Sequence, residues 1–188
     1  MGTAPTTDPP RRRWTRAEYE RIVDAGVLGP EDHVELIDGE ILVMSPEKSR
    51  HAAAIDLCAE ALRRAFGPGH TVRVQHPLAL GAASEPEPDV AVVPGSPRDY
   101  AAAHPSSALL VVEVADSSLA TDRTVKAALY AAAGLPEYWI VNLPERCLEI
   151  HRAPGAAGYA GVERRGEGVA VSPLAAPAAA VAVADLLV

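Results

Sequence analysis

The spacing of apolar residues changes period several times along the chain, and each change marks an element. Thr15 to Ala25, TRAEYERIVDA, has Thr15 placed as an N-cap, Glu18 three residues on as the other half of a capping box, and Gly26 just past the end. A short helix is expected there. His33 to Met44, HVELIDGEILVM, alternates on both sides of Asp38-Gly39, the strongest local signal for a two-residue hairpin. Val34, Leu36, Ile41 and Val43 share one face if the turn sets that register. Ser45-Pro46-Glu47 opens a helix that runs to about Phe66, with Ala54, Ile55, Cys58, Leu62 and Ala65 at helical spacing and Gly67-Pro68-Gly69 as the stop. Thr71 to Leu80 alternates like a strand with Gln75 at its middle, and Pro77 marks a bulge or an exposed edge.

Two runs further on are apolar throughout. Asp89 opens Val90-Ala91-Val92-Val93, and Pro88 suits the entry to a strand. Leu109 to Val114, LLVVEV, is too continuous for a strand with one wet face and reads as a central strand covered on both sides. Pro97 to His104 between them is a loop or a helical turn. Asp116, Ser117 and Ser118 supply turn and cap chemistry for a helix from about Thr121 to Ala133, closed by Gly134 and Pro136. Val125, Leu129 and Ala133 form its expected buried stripe, with Lys126 and Tyr130 on the neighbouring row. Tyr138 to Leu143 and Cys147 to His151 read as strands, and Pro154 to Gly168 as a loose hairpin. Val169 to Val188 is Ala-rich, adding an edge strand and a final turn.

A chain of 188 residues with 48% hydrophobic content is enough for one domain, here residues 14–188 behind a disordered Pro-, Thr- and Arg-rich tail, residues 1–13. No repeat at solenoid spacing is present. A net charge of -8 argues against a surface that grips nucleic acid non-specifically all over, but leaves room for a local cleft. Cys58 and Cys147 make neither a disulfide framework nor a zinc motif and read as reduced, buried thiols. No apolar h-region follows the N-terminal arginines, and no apolar run is long enough to span a bilayer, so a cytoplasmic protein without membrane contact is expected.

The chemistry gathers around Glu113. An ionised carboxylate in an apolar strand is costly unless it is paired or binds a metal. Asp89 is a second acid in similar company, and Lys126 follows one helix later. Two strands each presenting an acid, with an amine behind them, make a site for Mg²⁺ or Mn²⁺ and an activated water. Lys126 has a plain alternative, in which its alkyl stem covers apolar surface and its ammonium stays wet. Glu35, His51 and Gln75 are supporting candidates: Glu35 is either a solvated strand residue or one that reaches the site from the hairpin, and His51 either a satisfied core histidine or a neighbour of the ligands. A Gly-rich phosphate loop, HExxH and Gly-x-Ser-x-Gly are all missing from the sequence, so P-loop, zincin and serine-hydrolase chemistry find no support.

In order, ELIDGEI, SPxxxxH, PDV, VVEVADSS, DRTVK and AGLPEYWIVN resemble the putative restriction endonuclease family of bacteria, within the PD-(D/E)xK nuclease superfamily. The likeness covers about Thr15 to Arg152. It implies an α/β, restriction-endonuclease-like fold, a mixed β-sheet flanked by helices, preceded here by the N-terminal helix and hairpin. By similarity Asp89 is the aspartate of the PD element and Glu113 the acid of the next strand. The superfamily's lysine commonly stands two residues after that acid, where this chain has Ala115, so Lys126 becomes the matching amine. The resemblance implies a metal-dependent endonuclease acting on nucleic acid, DNA in the first place, and pairing into a homodimer. Asp89, Glu113 and the Val114 carbonyl would hold the metal, with Lys126 orienting the attacking water. Two rivals stand beside it: a catalytically inactive scaffold that keeps the nuclease fold, favoured by the short basic inventory of Arg63, Arg64, Arg73, Arg98 and Arg123, and a hydrolase of small phosphate esters.

Overall fold

Six strands form the central sheet of the computed structural model, which describes residues 11–29, 31–44 and 46–188. In chain order the elements are helix α1 (Arg16–Asp24), the hairpin strands β1 (Val34–Ile37) and β2 (Glu40–Val43), helix α2 (Ser49–Phe66), and strands β3 (His70–Val74), β4 (Val90–Pro94) and β5 (Leu110–Ala115). Then come α3 (Leu119–Thr121), a π-helical turn (Asp122–Lys126) and α4 (Ala127–Ala132), wound one into the next, and strands β6 (Glu137–Asn142), β7 (Cys147–Gly155), β8 (Gly158–Gly166), β9 (Ala170–Val171) and β10 (Val181–Ala182). The sheet order is β3-β4-β5-β6-β7-β8, with β5 and β6 parallel and every other neighbour antiparallel. The mixed sheet with helices on it is the architecture that the resemblance implied.

The period-2 alternation of strand side chains splits the interior into two layers. Val90, Val92, Leu110, Val112, Val114, Trp139 and Val141 point to the face covered by α2 and the C-terminal segment. Ala91, Val93, Val111, Ala115, Tyr138 and Ile140 point to the face covered by α4. Every residue of β5 is buried, as expected of a central strand. The C-terminal segment takes part in the core: Val181, Val183, Leu186 and Leu187 pack under α2. Cys58 and Cys147 are buried free thiols.

Asp38 and Gly39 both adopt positive φ, 46° and 77°, as a two-residue hairpin turn of this kind requires. Val34 pairs with Val43 and Leu36 with Ile41, so these four do share a face. Glu35 and Ile37 on the opposite face are buried, as is Leu36. Trp14 crosses the turn, its N–H donating to Gly39 O at 2.8 Å, and a Cβ on Gly39 would stand 2.7 Å from Arg13 Cβ. The capping box of Thr15 and Glu18 is formed.

Three expectations need correction. The strand expected over Thr71 to Leu80 ends at Val74, because Gln75 turns into the left-handed region at φ 49°. Pro154 to Gly168 is a hairpin as expected, but a regular rather than a loose one, part of the long pair β7 and β8. The expected buried stripe of the third helix is the wrong one: Val125 is 43% exposed, Leu129 is half-buried and Ala133 is exposed, while Asp122, Lys126, Ala127, Tyr130 and Ala131 are buried. Charge decides this orientation, since buried acids on the hairpin and the sheet await Lys126 and Tyr130 on that side. The π-helical turn carries two of those polar residues, and such turns are frequent at functional sites.

Candidate active site

β4 and β5 run antiparallel with Val90 opposite Val112. Continued by one residue, that register sets Asp89 against Glu113, and the Asp89 N–H donates to Glu113 Oε2 at 3.2 Å. In the other direction the Val114 N–H donates to Asp89 Oδ2 at 2.7 Å. Each acid is thus oriented by the backbone of the other's strand.

The two flanking layers add the remaining groups. From the α4 side, Tyr130 donates its hydroxyl proton to Glu113 Oε1 at 2.6 Å, and Lys126 Nζ lies 3.4 Å from the same oxygen. Lys126 donates to Glu35 Oε2 at 2.5 Å, and that oxygen also accepts the Glu87 N–H at 3.2 Å. From the α2 side, His51 Nε2 donates to Val114 O at 2.7 Å and lies 3.3 Å from Asp89 Oδ2. His51 Nδ1 faces Glu47 Oε1 at 3.4 Å.

The sequence candidates therefore converge with one exception. Asp89, Glu113, Lys126, Glu35 and His51 share one cluster. Gln75 stays outside it, its side chain donating to Glu47 Oε1 at 3.1 Å while its N–H donates to Asp89 O at 3.0 Å. Lys126 is only 6% exposed, so the reading with a wet ammonium is excluded. Sequence reasoning gave no part to Tyr130, Glu47 or Asp122. Tyr130 and Asp122 carry a signal, since both lie four residues from Lys126 on one helical row; Glu47 likewise stands four before His51.

Burial sets the electrostatics. It pushes the Glu113 carboxyl above the usual range, against the pull of Lys126, and neighbouring Asp89, Asp122 and Glu35 add to the push. It raises Asp122 as well, against the hydrogen bond from Ser118. Desolvation works against the Lys126 ammonium, yet Glu113 and Glu35 outweigh it and hold its pKa above the ordinary value. The hydrogen bond to Asp89 lifts His51 to about 9, with burial opposing and the Val114 carbonyl and Glu47 assisting.

Among the described residues no three His, Cys, Asp or Glu side chains stand ready as a metal site. The donor chemistry still fits a hard cation: two carboxylates and a backbone carbonyl on adjacent strands suit Mg²⁺ or Mn²⁺, which keep several waters and need few protein ligands. Among the described residues Lys126 and His51 are the positive groups set against the acids of this cluster.

No helix of the described residues is long and apolar enough to cross a membrane. No protein in the curated set gives a significant match. A crystal structure at 1.96 Å of a protein from Anabaena variabilis ATCC 29413, described as a putative nuclease belonging to DUF820, superposes with a TM-score of 0.71 over 92% of this chain and 96% of that one. The two are 17% identical, so the likeness is one of fold. The sequence profile of the Uma2 family, described as "Putative restriction endonuclease", matches residues 16–184. With nearly its whole length inside that match, the chain belongs to the Uma2 family.

Proposed function

We propose that this protein is a metal-dependent endonuclease that hydrolyses phosphodiester bonds of nucleic acid, DNA in the first instance. The observation that carries the reading is the mutual backbone clamp of Asp89 and Glu113 with the buried amine of Lys126 beside them. Membership of a family described as putative restriction endonucleases supports it.

Asp89, Glu113 and the Val114 carbonyl would hold the cation. When bound, Mg²⁺ or Mn²⁺ supplies an acidified water and positive charge beside the phosphorus. The chain's own groups prepare that place. Tyr130 fixes the rotation of the Glu113 carboxylate through Oε1, and the Asp89 N–H holds Oε2. Lys126 has three N–H donors; Glu35 takes one and Glu113 attracts a second, which leaves one for a water or a phosphate oxygen. Its ammonium stays charged between two acids and opposes charge growing on the phosphorane. Cutting both strands of a duplex calls for two such sites, so pairing of two copies goes with this reading.

The test is cleavage of supercoiled plasmid, single-stranded DNA and RNA with Mg²⁺ or Mn²⁺, for the wild type and for Asp89→Ala and Glu113→Ala. Metal-dependent cleavage lost in both variants supports the reading. Wild-type cleavage that persists in Asp89→Ala rejects it. A folded wild type that neither binds metal nor cuts any substrate turns the reading to the inactive scaffold.

A further inference from the structure

His51 sits on the α2 side of the site, away from Lys126 and Tyr130, and the metal scheme gives it no part. Yet its Nε2 is 2.7 Å from Val114 O and 3.3 Å from Asp89 Oδ2, two of the oxygens assigned to the cation. A carbonyl only accepts, so this nitrogen carries the hydrogen. One N–H thus ties the peptide of β5 to the carboxylate that opens β4. Val114 is then held at both ends, its own N–H by Asp89 and its carbonyl by His51.

The tie continues outward. His51 Nδ1 faces Glu47 Oε1 at 3.4 Å, Gln75 Nε2 donates to the same oxygen at 3.1 Å, and the Gln75 N–H returns to Asp89 O at 3.0 Å. The contacts close a ring from Asp89 through His51, Glu47 and Gln75 back to Asp89. Gln75 reaches its place only by adopting φ 49°, and the chain accepts that unfavourable backbone where the ring closes.

We propose that His51 is a positioning residue, which aims the Asp89 carboxylate and the Val114 carbonyl at the cation, and that Glu47 and Gln75 hold His51 in that pose. The inference rests on the metal reading above and assigns His51 no bond to the metal. Residues that orient ligands in this way typically carry 10- to 100-fold of metal affinity.

The experiment measures Mn²⁺ affinity of the intact protein by calorimetry, with no substrate present, alongside thermal unfolding of each variant. His51→Ala is expected to weaken Mn²⁺ binding by about 10- to 100-fold. His51→Gln, whose amide N–H can reach the same two oxygens, is expected to recover most of that loss, and Glu47→Gln to weaken binding less than His51→Ala. Wild-type affinity in His51→Ala, with Asp89→Ala unable to bind, overturns the inference and leaves the metal reading intact. Loss in His51→Ala with no recovery in His51→Gln also overturns it, since the imidazole would then be a ligand. A wild type that takes up no Mn²⁺ removes the metal reading and the inference together. Should His51→Ala fail to fold, His51→Gln and Glu47→Gln decide: near-wild-type affinity in the first with weakened affinity in the second upholds the ring, and any other pair of results rejects it.

Discussion

Lys126 Nζ lies closer to Glu35 Oε2, at 2.5 Å, than to Glu113 Oε1, at 3.4 Å. The hairpin is therefore no ornament on the central sheet, because β1 supplies the acid that holds the amine against the sheet. All three side chains are more than nine-tenths buried. Removing one partner of a buried ion pair leaves the other charge without compensation, at about 3–5 kcal/mol, whereas replacing both can be neutral. Lys126→Met is expected to lower stability by that amount in urea unfolding. Adding Glu35→Gln should recover part of the loss, measured as a double-mutant cycle with a coupling of about 1–3 kcal/mol. Strict additivity would show that the two residues do not act as a pair.

Tyr130 makes a similar contact without a charge of its own. Its hydroxyl is fully buried and donates to Glu113 Oε1 at 2.6 Å. Tyr130→Phe removes one oxygen and little volume, so the lost hydrogen bond to a charged group sets the effect, about 1.5–3 kcal/mol of stability. Glu113→Gln measured beside it provides the control: the Tyr130→Phe penalty should shrink in that background. A penalty unchanged by Glu113→Gln would mean that the hydroxyl serves packing alone.

How much of this was legible depended on which force decided each element. β5 was readable because six consecutive buried positions leave a run with no polar alternation except Glu113, which the chemistry explains. Asp38-Gly39 was readable because positive φ at two adjacent positions selects those residues. The orientation of the third helix was not, because periodicity favours Val125 and Leu129 while the outcome was set by acids distant in sequence, Glu35 and Glu113. The exposed row instead lines an open groove of about 530 Å³ with Leu80 to Ser84. The three acid and amine candidates came from sequence, but Glu47 did not, since its partner His51 acquires meaning only when α2 lies across the end of β5.

Glu137 shows the same limit away from the site. It lies fully buried in β6, where Arg152 and the Trp139 indole N–H donate to Oε1, and the Leu174 N–H donates to Oε2 at 2.7 Å. It joins β6, β7 and the C-terminal segment. Glu137→Ala leaves the Trp139 indole N–H and the Leu174 N–H without their acceptor and should cost about 1–3 kcal/mol for each. Amide exchange should rise first around Leu174, where a backbone donor is released. Uniform loss of protection with no early opening there would refute the tie.

Glu85 gives a pH test that does not involve the site. Its side chain is nearly buried, Oε2 has no hydrogen-bond partner among the described residues, and Arg16 Nη1 stands 3.9 Å away. Burial, with help from the carboxylate of Glu20, lifts its pKa from the ordinary 4.5 to about 7. The folded state therefore binds this proton more tightly than the unfolded state does. The contribution of Glu85 to stability is therefore greatest below about pH 4.5, falls as the pH rises towards 7, and stays low above it. A shift of that size corresponds to about 3 kcal/mol between the two limits. Glu85→Gln keeps the shape and removes the charge, so it should stabilise the protein by about that amount at pH 8 and by almost nothing at pH 4, read from urea midpoints at the two values. A gain of equal size at both pH values would trace the effect to packing, and no gain at pH 8 would mean that the carboxylate is already solvated in the folded chain.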